Sequence, residues 1–262
     1  MVQISSLGVG INYVDRGQGE PVLLFMPGWC TSCRVFDRVA APCAARRRIL
    51  TLDWPGHGMS EMPVSDFGSA ELVEHALSVI RASGARMIVP VALSHAGWLA
   101  IELRRRLGGR IPGIVFLDWI ILDPPLPFLE ALRGLRDQSR WKETRDRLFA
   151  AWFSGLDIPE VDRFLHDDMG SYDFTMWARA AREIGVAYDR EGNPLKSLAA
   201  LEPPPPVLHL YSQPDDPGYL AAQQTFAAGH PWFHVRRLNV RSHFPMFEVP
   251  DDVAAAIEQF AV

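Results

Sequence analysis

The chain has 262 residues, 48% of them hydrophobic and 22% charged, enough to bury the core of one large domain. A net charge of −5 speaks against the broad basic face of a nucleic-acid binder, and Arg46–Arg48 and Arg104–Arg106 read as solvated ends of elements. No apolar stretch approaches the ~20 residues of a membrane span, and MVQISSLGVG lacks the marks of a signal peptide, so a cytoplasmic protein is expected.

In chain order, residues 8–15 and 22–27 read as strands on either side of the turn Gly17-Gln18-Gly19. Ile49–Asp53, Met87–Ser94, Gly113–Asp118, Val207–Ser212 and His234–Val240 are further short apolar runs bounded by turn residues, as in strands buried on both faces of a parallel sheet. Helical patterns near 68–83, 96–108, 218–229 and 251–260 alternate with them, which predicts an α/β, doubly wound fold. From Pro124 to Leu201 no strand is evident. That stretch is amphipathic and rich in aromatics, among them Phe128, Trp152, Phe164, Trp177 and Tyr188, and it ends at the stiff run Pro203–Pro206. It predicts a helical cap over 124–202 inserted into a core made of 1–123 and 203–262. Most of its aromatics serve helix packing, but a cap of this composition can also wall an apolar pocket for a flat ligand.

The candidate chemistry lies at strand ends. Ser94 follows the run Met87–Leu93 and precedes a helix, the setting of a nucleophile elbow, although Ala92 and Ala96 stand where glycines are usual. Asp53-Trp54-Pro55-Gly56-His57-Gly58-Met59-Ser60 matches the D-x-x-G-x-G-x-S turn that precedes the elbow in α/β-hydrolase-fold proteins. His243 stands before the last helix, where that fold carries its base. The backbone N–H groups of Trp29 and His95 are placed to form an oxyanion hole. For the acid, Asp118 and the pair Asp215 and Asp216 both lie at strand ends, and spacing leaves both open. Cys30-Thr31-Ser32-Cys33 has redox or zinc spacing, but it lacks a thioredoxin-like context and a second ligand pair. No metal triad or dinucleotide fingerprint is found.

Several segments narrow this reading: Pro27-Gly28-Trp29-Cys30, Ser94-His95-Ala96-Gly97-Trp98, Leu117-Asp118-Trp119, Tyr211-Ser212-Gln213-Pro214 and Phe226-Ala227-Ala228-Gly229-His230-Pro231-Trp232-Phe233. Together with Trp177-Ala178-Arg179-Ala180 and Gly192-Asn193-Pro194, they give a chain that resembles, over nearly its whole length, the cofactor-independent 3-hydroxy-4(1H)-quinolone 2,4-dioxygenases. The resemblance implies an α/β-hydrolase fold, catalytic His243, Asp118 and Ser94, and no cofactor or metal. It also implies Asp215 and Asp216 on a surface loop, a pocket bordered by Trp152, and a quinolone and O2 as the partners. Thr31 stands where relatives usually have histidine, and Ala96 where they tend to have glycine. The room beside Thr31 and the apolar cap favour a 2-alkyl substrate, with the 2-heptyl signal first. Two rival readings share the architecture: a serine esterase or amidase using Ser94, and a non-catalytic quinolone binder.

Overall fold

The computed structural model describes residues 2–153, 156 and 158–261; Ser154, Gly155 and Asp157 of the expected cap lie outside the described residues. Eight strands form one sheet: β1 (Val2–Ser6), β2 (Val9–Arg16), β3 (Val22–Met26), β4 (Ile49–Leu52), β5 (Ile88–Leu93), β6 (Ile114–Leu117), β7 (Val207–Tyr211) and β8 (Phe233–Arg237). Their order is β1-β2-β4-β3-β5-β6-β7-β8, antiparallel across β1, β2 and β4 and parallel from β4 to β8. The helices are α1 (Asp37–Ala44), α2 (Ser69–Ser83), α3 (Ala96–Leu107), α4 (Leu126–Leu135), α5 (Trp141–Phe153), α6 (Pro159–Arg163), α7 (Phe174–Glu191), α8 (Pro194–Ala199), α9 (Pro217–Gly229), α10 (Pro245–Glu248) and α11 (Pro250–Phe260).

The doubly wound α/β prediction holds, and the reason is visible in the strands. Every residue of β3, β5, β6 and β7 is buried, because helices cover both faces of the parallel part. Each large aliphatic side chain buried there contributes roughly 1.5–3 kcal/mol, so an aspartate at Leu24 or Val91 would destroy the fold. The structure differs from the sequence reading, or adds to it, at three points. The strands flanking Gly17–Gly19 do not pair with each other, since β4 lies between them. The last strand stops at Arg237 rather than Val240; as an edge strand it alternates in burial, and only the Leu238 N–H still reaches back, to Tyr211 O at 2.7 Å. β1 and α1 had no counterpart in the sequence reading: β1 is polar and mostly exposed, and α1 carries an internal proline, Pro42.

Between β6 and β7 the chain inserts α4 to α8, with a π-helical turn at Phe164–Asp168. Asp173 caps α7 by accepting from Met176 N–H at 3.1 Å, and Asn193 caps α8 by accepting from Lys196 N–H at 3.0 Å. The insertion covers the carboxyl ends of the parallel strands, where ligands bind in this architecture.

Candidate active site

A cavity of about 740 Å³ separates the strand ends from the insertion. Ser94, Asp118 and His243 reach it from the sheet side, and Phe128, Trp152 and Trp177 from the insertion.

Ser94 sits at φ 52°, a left-handed backbone that costs a residue with a β-carbon roughly 1–2 kcal/mol. Its N–H donates to Leu117 O at 2.8 Å, which ties the elbow to the end of β6. The tight packing that usually demands glycine beside the serine falls on Gly97 instead: a β-carbon there would lie 2.3 Å from the Trp119 ring. Ala92 and Ala96 are buried without conflict.

Asp118 follows β6 at φ 43° and is buried. Its carboxylate accepts from Ser212 N–H at 3.0 Å, Ser212 Oγ–H at 2.7 Å and Gln213 N–H at 3.0 Å. His243 Nδ1 lies 3.5 Å from Asp118 Oδ1. The two other acids are engaged elsewhere: Asp215 is exposed and paired with Arg237, while Asp216 caps α9 through Gly218 N–H at 2.8 Å. The loop carrying His243 is held by Glu248, which accepts from Arg241 N–H at 3.1 Å and Ser242 N–H at 2.7 Å. From the insertion, Trp152 stacks on the imidazole at 5.2 Å and 23°, and its carbonyl accepts the His243 N–H at 3.0 Å.

The loop after β3 is braced at several points. Trp54 Nε1–H donates to Pro27 O at 2.7 Å, Cys30 N–H to His57 Nε2 at 3.1 Å, and Cys33 N–H to Asp53 Oδ1 at 2.7 Å. Ser32 N–H reaches across to Asp168 of the insertion at 3.0 Å. Since His57 Nε2 accepts, Nδ1 carries the proton and donates to Pro55 O at 2.9 Å. Burial pushes the His57 pKa down to about 4, so the ring is neutral at pH 7. Among the described residues no acceptor takes the N–H of Trp29 or His95, which leaves both for a ligand oxygen. The His95 ring is buried against Phe128, 5.5 Å between centroids, and burial pushes its pKa to about 3.

An alpha/beta hydrolase family model matches residues 23–256. A 2-heptyl-3-hydroxy-4(1H)-quinolone dioxygenase of Mycobacteroides abscessus is 38% identical, with 95% of this chain and 93% of that protein aligned. A 1H-3-hydroxy-4-oxoquinoline 2,4-dioxygenase of Pseudomonas putida is 34% identical over 99% of each. The solved structure of a variant enzyme that cleaves the ring of the Pseudomonas quinolone signal, in complex with its substrate, superposes with a TM-score of 0.95 at 36% identity. It covers 99% of this chain and 98% of that one. The chain belongs to the 3-hydroxy-4-quinolone 2,4-dioxygenase family.

In this member of the dioxygenase family Thr31 is buried, lines the cavity and ties its hydroxyl to Gly28 O at 2.9 Å. The Cys30–Cys33 spacing has no redox expression: Cys30, Cys33 and Cys43 are free and buried, and burial pushes each thiol well up, Cys43 to about 12. Among the described residues no group of three His, Cys, Asp or Glu side chains is placed to hold a metal.

Sequence reasoning missed the supports of this dioxygenase site. Tyr219 Oη donates to Trp119 O at 3.0 Å and accepts from Ile121 N–H at 2.9 Å, and Tyr188 Oη donates to Ile120 O at 2.6 Å, so two tyrosines fix the chain beyond Asp118. Asp168 and Gln213 were missed as well. None has a local signature; Gln213 stood only inside the S-Q-P segment of the resemblance.

Proposed function

We propose that the protein is a ring-cleaving dioxygenase of 2-alkyl-3-hydroxy-4(1H)-quinolones, with the 2-heptyl signal as substrate, and that Ser94, Asp118 and His243 carry the reaction. The observation that carries this reading is His243, oriented by Asp118 on one side and by Trp152 on the other, at the edge of a large, mostly aliphatic and aromatic cavity. The cavity lies well inside the size range of small-molecule sites, with room for a bicyclic ring and a tail. Each buried methylene of that tail adds ~0.8 kcal/mol to binding.

His243 Nε2 takes the proton of the 3-hydroxyl, and Asp118 holds the tautomer and stabilises the imidazolium. The charge spreads to the 4-oxo oxygen, which the N–H groups of Trp29 and His95 receive. The anion is electron-rich enough to pass one electron to O2, and the two radicals join as a peroxide at C2. The distal oxygen then closes on C4. The O–O, C2–C3 and C3–C4 bonds break, C3 leaves as carbon monoxide, C2 becomes the amide carbonyl and C4 the carboxylate of an N-acylanthranilate. The proton on His243 returns to solvent. The substrate supplies every electron that O2 accepts, so the reaction needs no resident cofactor. Residues 124–202 act as a cap whose aromatic face keeps water from the reactive anion.

No helix among the described residues is long and apolar enough to cross a membrane. Three unpaired thiols suit a reducing compartment, and we place the enzyme in the cytoplasm.

The test is anaerobic mixing with 2-heptyl-3-hydroxy-4(1H)-quinolone, followed by O2. The bound anion should appear in the absorbance before oxygen is admitted, then decay with one CO released per substrate. Tight binding with no O2 consumed would leave only a binding protein. The strained Ser94 elbow favours one rival, an esterase, and a trapped acyl group on Ser94 would establish it.

A further inference from the structure

Both N–H groups of the Gln213 side chain are used, and they point to different parts of the molecule. Nε2 lies 3.2 Å from Ala151 O at the end of α5 and 2.6 Å from Arg241 O in the loop that carries His243. Both neighbours are carbonyl oxygens, which fixes the amide with its NH2 end between them. The backbone N–H of the same residue donates to Asp118 Oδ1 at 3.0 Å. One position beyond Ala151 and two beyond Arg241, Trp152 O accepts the His243 N–H at 3.0 Å. The insertion and the histidine loop are thus joined by two adjacent bridges, one direct and one through Gln213.

We infer that Gln213 is a positioning residue for His243: it couples the seating of the insertion to the alignment of the histidine with Asp118. Glu248 and Ser212 hold the backbone of the histidine loop at Arg241 and Ser242, but the imidazole itself is held more loosely. Its Nδ1 is 3.5 Å from Asp118, longer than a well-formed hydrogen bond, and its ring is stacked on a residue of the insertion rather than of the sheet. A shift of α5 relative to Arg241 would carry Trp152 and the imidazole with it. Gln213 opposes that shift because its two donors span the gap, while its backbone stays anchored on the acid. The side chain is partly exposed, so water can satisfy both carbonyls when it is removed, and folding does not depend on it.

This inference rests on the dioxygenase reading, and wild-type turnover of 2-heptyl-3-hydroxy-4(1H)-quinolone is the control that separates the two. Gln213→Met keeps the length and deletes both donors. The expected result is a kcat about tenfold lower near neutral pH, a KM within about twofold and an unchanged melting temperature. The deficit should shrink as pH rises through the ionisation of the substrate's own hydroxyl, because a substrate that arrives ionised no longer needs an aligned base. The other titratable groups lining the cavity with Gln213, namely Asp118, Asp215, Arg241, His95 and His243, are all retained in this variant, so no ionisable group is added or lost. Gln213→Asn, which keeps a donor but falls one methylene short, should show the same pH-dependent loss and serves in its place if the methionine variant does not fold. An active wild type with a variant of equal kcat, or with a deficit that is the same at every pH, overturns the inference. A wild type that turns over no quinolone overturns the reading on which it rests.

Discussion

The sheet and the insertion hold their functional residues in different ways. At the ends of β5 and β6, Ser94 and Asp118 are fixed by backbone: Ser94 N–H on Leu117 O, and Asp118 N–H on Leu210 O at 2.9 Å. The strands beneath them are buried throughout, so these positions cannot move without disturbing the core. The insertion instead meets the site through side chains and the last carbonyls of α5, by way of Trp152, Ala151 and Asp168. His243 belongs to both. In the proposed reaction the rigid half would set where charge is received, and the insertion half how the base is aimed.

The strongest way to break this division is at the residue both halves share. His243→Ala should lower turnover by ~10² or more, with partial recovery at high pH, measured as CO release in a folded variant. Next comes Ser94. If it only hydrogen-bonds near the reacting anion, Ser94→Ala should cost about 5- to 150-fold, against the ~10⁴ expected for a nucleophile. Loss of all quinolone cleavage, together with a covalent adduct on Ser94 in the wild type, would sink the mechanism. Asp118→Ala should cost less than His243→Ala, since the base survives with its tautomer unsupported. Asp216→Ala should leave turnover alone and lower stability by about 1 kcal/mol through the lost cap on α9, read by denaturant unfolding. A crippled Asp216 variant beside a normal Asp118 variant would reverse the acid assignment. On the insertion side, Trp152→Leu removes the stack but keeps the backbone bond, for about a two- to tenfold loss.

The broadest effect is on stability. Burial holds His57 and His209 at about pKa 4 and His95 at about 3, all below the ordinary 6.5. Between those values and 6.5 the unfolded chain binds more protons than the folded one, so stability is complete above pH 6.5 and falls as pH drops through the window. Denaturant midpoints measured from pH 7 to 4 should decline steadily; a flat profile would mean that these histidines are not buried neutral.

How much of this was legible in the sequence follows the same division. β3, β5 and β6 announce themselves as unbroken apolar runs and β7 as one interrupted only by His209, and residues at strand ends are located once the strands are. The choice between Asp118 and the Asp215–Asp216 pair was not available from spacing, because both stand after neighbouring parallel strands; the resemblance pointed to Asp118, and the 3.5 Å approach of His243 shows which carboxylate it meets. The bridges that aim the base were illegible. Gln213 joins Ala151 to Arg241, and Ser32 meets Asp168, through contacts between segments far apart in the chain, and no local pattern encodes such pairs.

Among the described residues four that are not glycine have positive φ, and three of them, Cys30, Ser94 and Asp118, follow the adjacent strands β3, β5 and β6; Ser94 and Asp118 line the cavity and Cys30 lies between Trp29 and Thr31, which do. Each stores a little energy that the native state would release if the backbone relaxed. Robustness to heat and readiness for chemistry are therefore opposed at the same three positions. Laboratory selection for thermal tolerance alone would be drawn toward glycine there, and would soften the loops that hold the oxyanion site and the acid in shape. A screen for hardier variants should be run with turnover as a second criterion from its first round.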